Sequence, residues 1–301
     1  MPYKERTEPK ELQVMNVLNS RMSLSEQDLI QLSTLRKGYE GELLFDKLVE
    51  NLQGNWLVLN DLLLKINNSL FQIDSLIITP EIINLSEIKN FEGDFYYESD
   101  RLYMKNKKEV NNPLNQLNKS TLLLKQMLQA IGFQMPIQSN VVFINPEFTL
   151  YQAPQNKPFI FPTQINKHLK NLGSTTSKIN TKHKILAEKL VSLHLTDSPY
   201  NNIPDYEYKS LRKGIVCEKC VTFNMLLVGR RCKCNYCGHE QMVASSVINS
   251  VKDFKLLFPD SKLTTNAIYE WCGTALPKRR IRNVLEKNYK ASGVHQWTFY
   301  E

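Results

Sequence analysis

The sequence predicts an α/β protein: a mixed sheet flanked by helices in the N-terminal half, then a small metal-stapled module and a short-helix domain. Three observations carry this. Strand-length apolar runs at 56–66, 70–78, 82–88 and 141–144 alternate with two stretches of helical periodicity. Five of the six cysteines fall within 217–237. The net charge of +8 lies wholly after residue 205: residues 206–301 carry 16 Lys and Arg against 8 Asp and Glu, while residues 1–205 carry 22 of each.

At 301 residues the chain can build two or three cored domains. Its 42% hydrophobic and 23% charged content is ordinary for a globular protein, which excludes a disordered or fibrous chain. No apolar run approaches the ~20 residues that span a bilayer. The opening MPYKERTEPK is charged and has no apolar h-region, so a cytoplasmic address is expected.

In chain order, residues 1–35 read as a polar helical lead-in without chemistry. Gly38-Tyr39-Glu40-Gly41-Glu42 precedes a helical stripe of Leu44, Phe45, Leu48, Val49 and Leu52, placing Glu42 in a first turn. There it either complements the helix dipole or aims a carboxylate at the neighbouring strands. Trp56–Ile66 reads as a strand ended by the Asn67-Asn68 turn signal. The next two runs flank Thr79-Pro80-Glu81, a hairpin whose partners sum to 161, so that Asp74 falls opposite Glu87. Side chains alternate along a strand, so Lys89 shares the face of Glu87. Two carboxylates and an ammonium on an apolar hairpin are costly unless they bind something, most simply a divalent metal and a phosphate. Phe95–Met104 reads as a further strand and 105–109 as a charged loop. Asn112-Pro113 starts a helix with Leu114, Leu117, Thr121, Leu124, Leu128 and Ile131 as its buried stripe and Gly132 at its end. Val141–Ile144 is a short buried strand.

Four motifs occur in order: Gly38-x-x-Gly41-Glu42, Gln72-Ile73-Asp74, Glu87-x-Lys89-Asn90 and Asn112-Pro113-x-x-Gln116. Together they resemble the nuclease-related domain (NERD) of the PD-(D/E)xK nuclease superfamily over roughly residues 36–150. The resemblance implies a restriction-endonuclease-like mixed sheet flanked by helices. It also implies a Mg²⁺ or Mn²⁺ ion on Asp74, Glu87 and the backbone carbonyl of Ile88. Lys89 becomes the catalytic lysine, Glu42 the acid from the first helix and Gln116 the polar residue of the second. Ile73 stands where the superfamily places proline.

Residues 151–205 read as a linker with one helical stretch at 181–195; His168, His183 and His194 lack ligand spacing and read as surface residues. Cys217-x2-Cys220-x13-Cys234-x2-Cys237 is the spacing of a structural Zn²⁺ site, a zinc ribbon over 206–245. Cys232 and His239 stand as alternative ligands, although Cys232 in place of Cys234 makes a poorer knuckle. Beyond it, 246–301 reads as three short helices and a β-wing, resembling a winged helix-turn-helix. Lys278, Arg279, Arg280 and Arg282 open its third helix and suit a nucleic-acid backbone. The expectation is a metal-dependent nuclease acting on nucleic acid, taken as DNA, with the C-terminal modules holding the substrate. The competing expectation is a non-catalytic DNA-binding regulator or structural protein with an inactive nuclease-like fold.

Overall fold

In a computed structural model of the protein, which describes residues 2–301 except 53, 175–176, 197–201, 274–275 and 295–296, the chain forms two units. Met1–Pro9 and Ser33–Asn201 make the first; Lys10–Leu32 and Asn202–Glu301 make the second. Helix α1 (Lys10–Arg21) belongs to the second unit, and α2 (Glu26–Glu50) crosses the boundary.

The first unit is built on β1 (Leu57–Ile66), β2 (Ser69–Ile78) and β3 (Ile83–Lys89), then β4 (Gly93–Glu98), β5 (Arg101–Met104) and β6 (Glu109–Val110). Helix α3 (Pro113–Ala130) leads to β7 (Ile137–Phe143), β8 (Phe148–Tyr151), β9 (Phe159–Ile160), α4 (Ile165–Gly173) and α5 (Thr181–Ser192). Five strands form the main sheet in the order β1-β2-β3-β7-β9, antiparallel up to β3 and parallel beyond it. Leu117 and Leu124 of α3 and Leu186 and Leu190 of α5 cover one face with Leu62, Leu76 and Leu85. Phe45 and Val49 of α2 and Leu169 of α4 cover the other with Ile77, Ile88 and Val142. A second sheet, β6-β5-β4-β8, extends the unit.

The turns follow local chemistry. Asn67 and Asn68 both take positive φ, 46° and 61°, the two-residue turn that matches strand twist. The β2–β3 ladder pairs Ser75 with Ser86 through Ile78 with Ile83, so the register sums to 161 as the hairpin reading expects. Asn112 caps α3 by accepting from Leu114 N–H at 3.0 Å, with Pro113 at its first position.

Several expectations differ from what is observed. The lead-in is not one polar helix: Tyr3 and Lys4 lie extended beside β1, with Lys4 bridging Leu59. Helix α2 begins at Glu26, where Ser25 and Asp28 exchange side-chain-to-backbone hydrogen bonds across the start. Glu42 therefore lies deep inside the helix rather than in its first turn. Gly41 is kept inside that helix by a close approach, since a Cβ there would lie 2.5 Å from Asn90 Cβ. The segment 93–104 is a hairpin, because Ser99 and Asp100 turn the chain at φ of 49° and 59°. Residues 151–192 are no linker; Phe159, Leu186, Ala187 and Leu190 are buried in the core of the first unit. Nor are the three histidines simply surface residues. His183 and His194 each accept a backbone N–H through Nδ1, and burial lowers the His168 pKa.

In the second unit, β10 (Met225–Val228), β11 (Arg231–Cys234) and β12 (Glu240–Met242) form an antiparallel ribbon. Helices α6 (Val243–Leu257), α7 (Thr265–Trp271) and α8 (Lys278–Asn288) follow, then the pair β13 (Ala291–Ser292) and β14 (Phe299–Tyr300). Ribbon and helices share one core, in which Ile215 and Cys232 pack with Val247, Phe254, Trp271, Ile281 and Leu285. Val14 and Leu18 of α1 join it. The proposed boundary at 245/246 thus runs through a single hydrophobic cluster, and a segment far upstream contributes to it.

Candidate functional site

The first candidate site lies where β2 and β3 part. Their ladder ends at Ser75 and Ser86. The β1–β2 register, pairing Asn60 with Ser75 and Leu62 with Ile73, skips Asp61 and Asp74. Asp61 takes φ of 53°, and there the in-out alternation slips. Leu59, Leu62 and Leu64 all pack into one core despite the change in parity, as do Ile73, Leu76 and Ile78 on the partner strand. Strict alternation therefore does not decide where Asp74 points. Its carboxylate spans the fork, and Oδ2 accepts the Ile88 N–H at 2.8 Å. A strand residue's N–H and C=O leave on the same side, so the Ile88 carbonyl faces the fork too.

Glu87 and Lys89 do share a face, the one covered by α3. Lys89 Nζ lies 2.7 Å from Glu87 Oε1 and 3.4 Å from Gln116 Oε1 on α3. The end of β3 is held firmly: Lys89 O accepts from Ile144 N–H at 3.0 Å, and Asn90 donates to Lys37 O at 2.7 Å and accepts from Asn145 at 3.1 Å. The same clasp places Asn90 against Gly41, joining the ends of the two motifs.

Glu42 approaches from α2, and its partner comes from a segment the sequence left without chemistry. Arg6, its side chain 2% exposed, donates from Nη1 to Glu42 Oε2 at 2.6 Å. It also grips Asp46 through Nε at 2.8 Å and Nη2 at 3.1 Å. Its Nη2 donates as well to the Asp74 carbonyl at 2.7 Å. The only trace of this in the sequence is the i, i+4 spacing of Glu42 and Asp46, which puts both on one helix face.

Burial dominates the electrostatics. Glu87, 1% exposed, is pushed up to about 8 by desolvation, then by Asp74, against the pull of Lys89. Glu42 also rises to about 8 through desolvation and Asp74, opposed by Arg6. Asp74 is raised by desolvation, against Lys89 and the Ile88 N–H. The charge of Asp74 raises both glutamates, and Lys89 pulls Glu87 and Asp74 down; against its own desolvation the lysine is raised by Glu87 and Asp74.

The second site is the thiolate cluster. Cys217, Cys220, Cys234 and Cys237 bring their sulfurs within 4.8 Å of one another, a group that can hold a metal ion. Cys217 and Cys237 lie 3.7 Å apart and Cys220 and Cys234 3.5 Å apart, close to the ~3.8 Å edge of a tetrahedron with Zn–S of ~2.3 Å. The two knuckles repeat the same bonds. Val221 N–H reaches Cys217 O and Gly238 N–H reaches Cys234 O, both at 2.9 Å, with φ of 57° and 71°. Cys232, two residues before Cys234 and on the same face of β11, is buried in the hydrophobic core instead, and neither it nor His239 joins the group. Among the described residues this is the one group of three or more such ligands that meets that spacing; Glu42, Asp74 and Glu87 do not form a second.

The basic residues divide. Lys278, Arg279 and Arg282 line a cleft of about 560 Å³ with Thr264, Thr265, Asn266, Thr298 and Tyr300. Arg280 turns away and donates to Gly229 O in the ribbon.

The architecture is thus a mixed α/β protein with several sheets and eight α-helices among the described residues. Residues 37–144 match the family model of the nuclease-related domain (NERD). That span holds Glu42, Asp74, Glu87, Lys89 and Gln116 but not Arg6. No curated protein matches the sequence. No helix among the described residues is long and apolar enough to cross a membrane.

Proposed function

We propose that the protein is a metal-dependent nuclease of PD-(D/E)xK type that hydrolyses phosphodiester bonds of nucleic acid, DNA being the intended substrate. The reading rests on one observation above all: Asp74, Glu87 and Lys89 meet at the β2–β3 fork, inside the span that matches the nuclease-related domain. Two carboxylates raised by burial, Glu87 further by the charge of Asp74, with a backbone carbonyl facing the same fork, are a hard-oxygen donor set suited to Mg²⁺ or Mn²⁺. Asp74, Glu87 and Ile88 O would hold the ion, which supplies Lewis acidity and an activated water when bound.

The chain's own groups do the rest. Lys89 balances Glu87 and faces the nonbridging phosphate oxygens as charge develops on them. Gln116 restrains the lysine and the attacking water from α3. Asp74 is held in line by the Ile88 N–H, and Glu42 by Arg6. The four cysteines hold Zn²⁺ in a structural role, since a shell of four thiolates leaves no open position. In the second unit α6, α7, α8 and the β13–β14 pair act as a winged helix-turn-helix, and Lys278, Arg279 and Arg282 take backbone phosphates in their cleft.

A cleavage assay over labelled single- and double-stranded DNA and RNA with Mg²⁺ or Mn²⁺ tests the reading. Cleavage should require the ion and vanish in Lys89→Ala. A wild-type protein that binds these nucleic acids and cuts none of them would instead support the non-catalytic alternative.

A further inference from the structure

The N-terminal segment, outside the span that matches the nuclease-related domain, reaches into the carboxylate site. Tyr3 N–H donates to Val58 O at 2.8 Å, Asn60 N–H donates to Lys4 O at 3.1 Å, and Lys4 Nζ donates to the carbonyls of Asn60 and Asp61 at 2.7 and 2.8 Å. These bonds fix residues 3 and 4 beside β1 and deliver Arg6 to the point where the sheet ladders fail. Its guanidinium uses Nε, Nη1 and Nη2 on two carboxylates of α2 and the main chain of Asp74. A planar fork serving three groups at once is work that lysine cannot duplicate.

The position matters because of what it occupies. A second ion in this site would draw on Glu42 alongside Asp74 and Glu87, and among the described residues those three carboxylates do not form a group gathered closely enough to hold a metal. Glu42 Oε2 is bonded to Arg6 at 2.6 Å, and Asp46 beyond it is bound twice. The fixed cation already balances the carboxylates on which a second ion would draw.

We propose that Arg6 is a positioning residue that replaces a second metal ion, making the carboxylate site mononuclear. This rests on the reading of the site as a divalent-metal nuclease centre. Arg6 keeps Glu42 and Asp46 from recruiting an ion and anchors the Asp74 backbone, so that Asp74 and Glu87 present one ion's worth of ligands. The N-terminal segment is then part of the nuclease centre.

The test is a Mn²⁺ titration of the full-length, zinc-loaded protein followed by electron paramagnetic resonance, alongside cleavage assays. Wild type should take up one Mn²⁺ per chain, with an isolated-ion spectrum and no exchange coupling. Arg6→Gln should bind that ion more weakly or admit a second, and lose about 100-fold in kcat through misplacement of the carboxylates. Arg6→Lys should restore the one-ion spectrum only in part. Two exchange-coupled Mn²⁺ ions in a wild-type protein that cleaves would overturn the proposal and leave the nuclease reading intact. One isolated Mn²⁺ in a wild type that cuts nothing would remove the nuclease reading and leave Arg6 its role. Unchanged Mn²⁺ binding and turnover in Arg6→Gln also overturns it. Because the wild-type stoichiometry decides the central point, a poorly folding variant does not protect the proposal.

Discussion

The two candidate metal sites are assembled on opposite principles. The thiolate cluster comes from two short copies of one turn, each with a CxxC pair, the same two backbone hydrogen bonds and one left-handed residue after the second cysteine. Everything it needs is local, and the ribbon strands bring the copies together. The carboxylate site takes its groups from the N-terminal segment, α2, β2, β3 and α3, and no two of those elements make it alone. Its charges are held in balance by Arg6 and Lys89 rather than by ligand geometry. A site made by spacing depends on its ion; a site made by fold keeps its shape through the protein's own cations and tunes what the ion will find.

That contrast can be broken most severely at the ribbon. Removing Zn²⁺ with a strong chelator, or Cys217→Ser, should unfold residues ~210–245, since structural zinc contributes on the order of 10 kcal/mol or more in small sites. Elemental analysis should give one Zn²⁺ per chain in wild type and in Cys232→Ser, whose thiol is in the core. A protein without zinc when purified free of chelator would sink the structural role. At the fork the expected effect is on rate. Lys89→Ala should lose about 10²–10⁴-fold in kcat while keeping Mn²⁺ affinity, whereas Asp74→Ala should lose both. Equal metal affinity in the two variants would mean that the roles are misassigned.

The sites should also differ in their response to pH. Glu42 and Glu87 titrate near 8 in the folded protein against an ordinary 4.5, so the folded state holds more protons between those values. Their contribution is therefore fully present below about 4.5 and is lost as pH rises through about 8. Zinc-loaded protein without Mg²⁺ should melt lower at pH 8.5 than at pH 5.5, and added Mg²⁺ should recover most at the upper end. A melting temperature that rises over this range would count against buried, raised carboxylates. A smaller effect is expected from Gly41→Ala, where the new methyl meets Asn90 Cβ at 2.5 Å and loosens the clasp at the end of β3. About 1–3 kcal/mol of destabilisation is typical of such overpacking, read from denaturant midpoints. The smallest effects lie in the basic cleft. Neutralising Lys278, Arg279 or Arg282 singly should each lower the salt slope of nucleic-acid binding by about one, while Arg280→Gln should act mainly through the ribbon contact. A slope unchanged by all three would dismiss the cleft as a phosphate site.

Much of this was legible in the residues. The hairpin register followed from Thr79-Pro80-Glu81 and two apolar runs, because a tight turn leaves few ways to pair the strands. The start of α3 followed from Asn112-Pro113, and the thiolate group from its spacing, because caps and knuckles are decided within a handful of neighbouring atoms. The beginning of α2 was readable in Ser25-x-x-Asp28 but was masked by Gly38 and Gly41, which look like helix breakers until the packing of Gly41 against Asn90 is seen.

The long-range pairings lie beyond the reach of local pattern. Alternation along β2 says nothing of a phase slip caused by Asp61 on the neighbouring strand. Composition cannot place Arg6, 36 residues before its partner Glu42, in a buried fork. Nor does it show that one basic residue of four turns toward the ribbon. The local turns, the caps and the order of the motifs are readable along the chain, because these depend on neighbours in sequence. Which charges meet depends on burial. Taking a charge out of water is too costly to leave unpaired, and the fold alone chooses the partner.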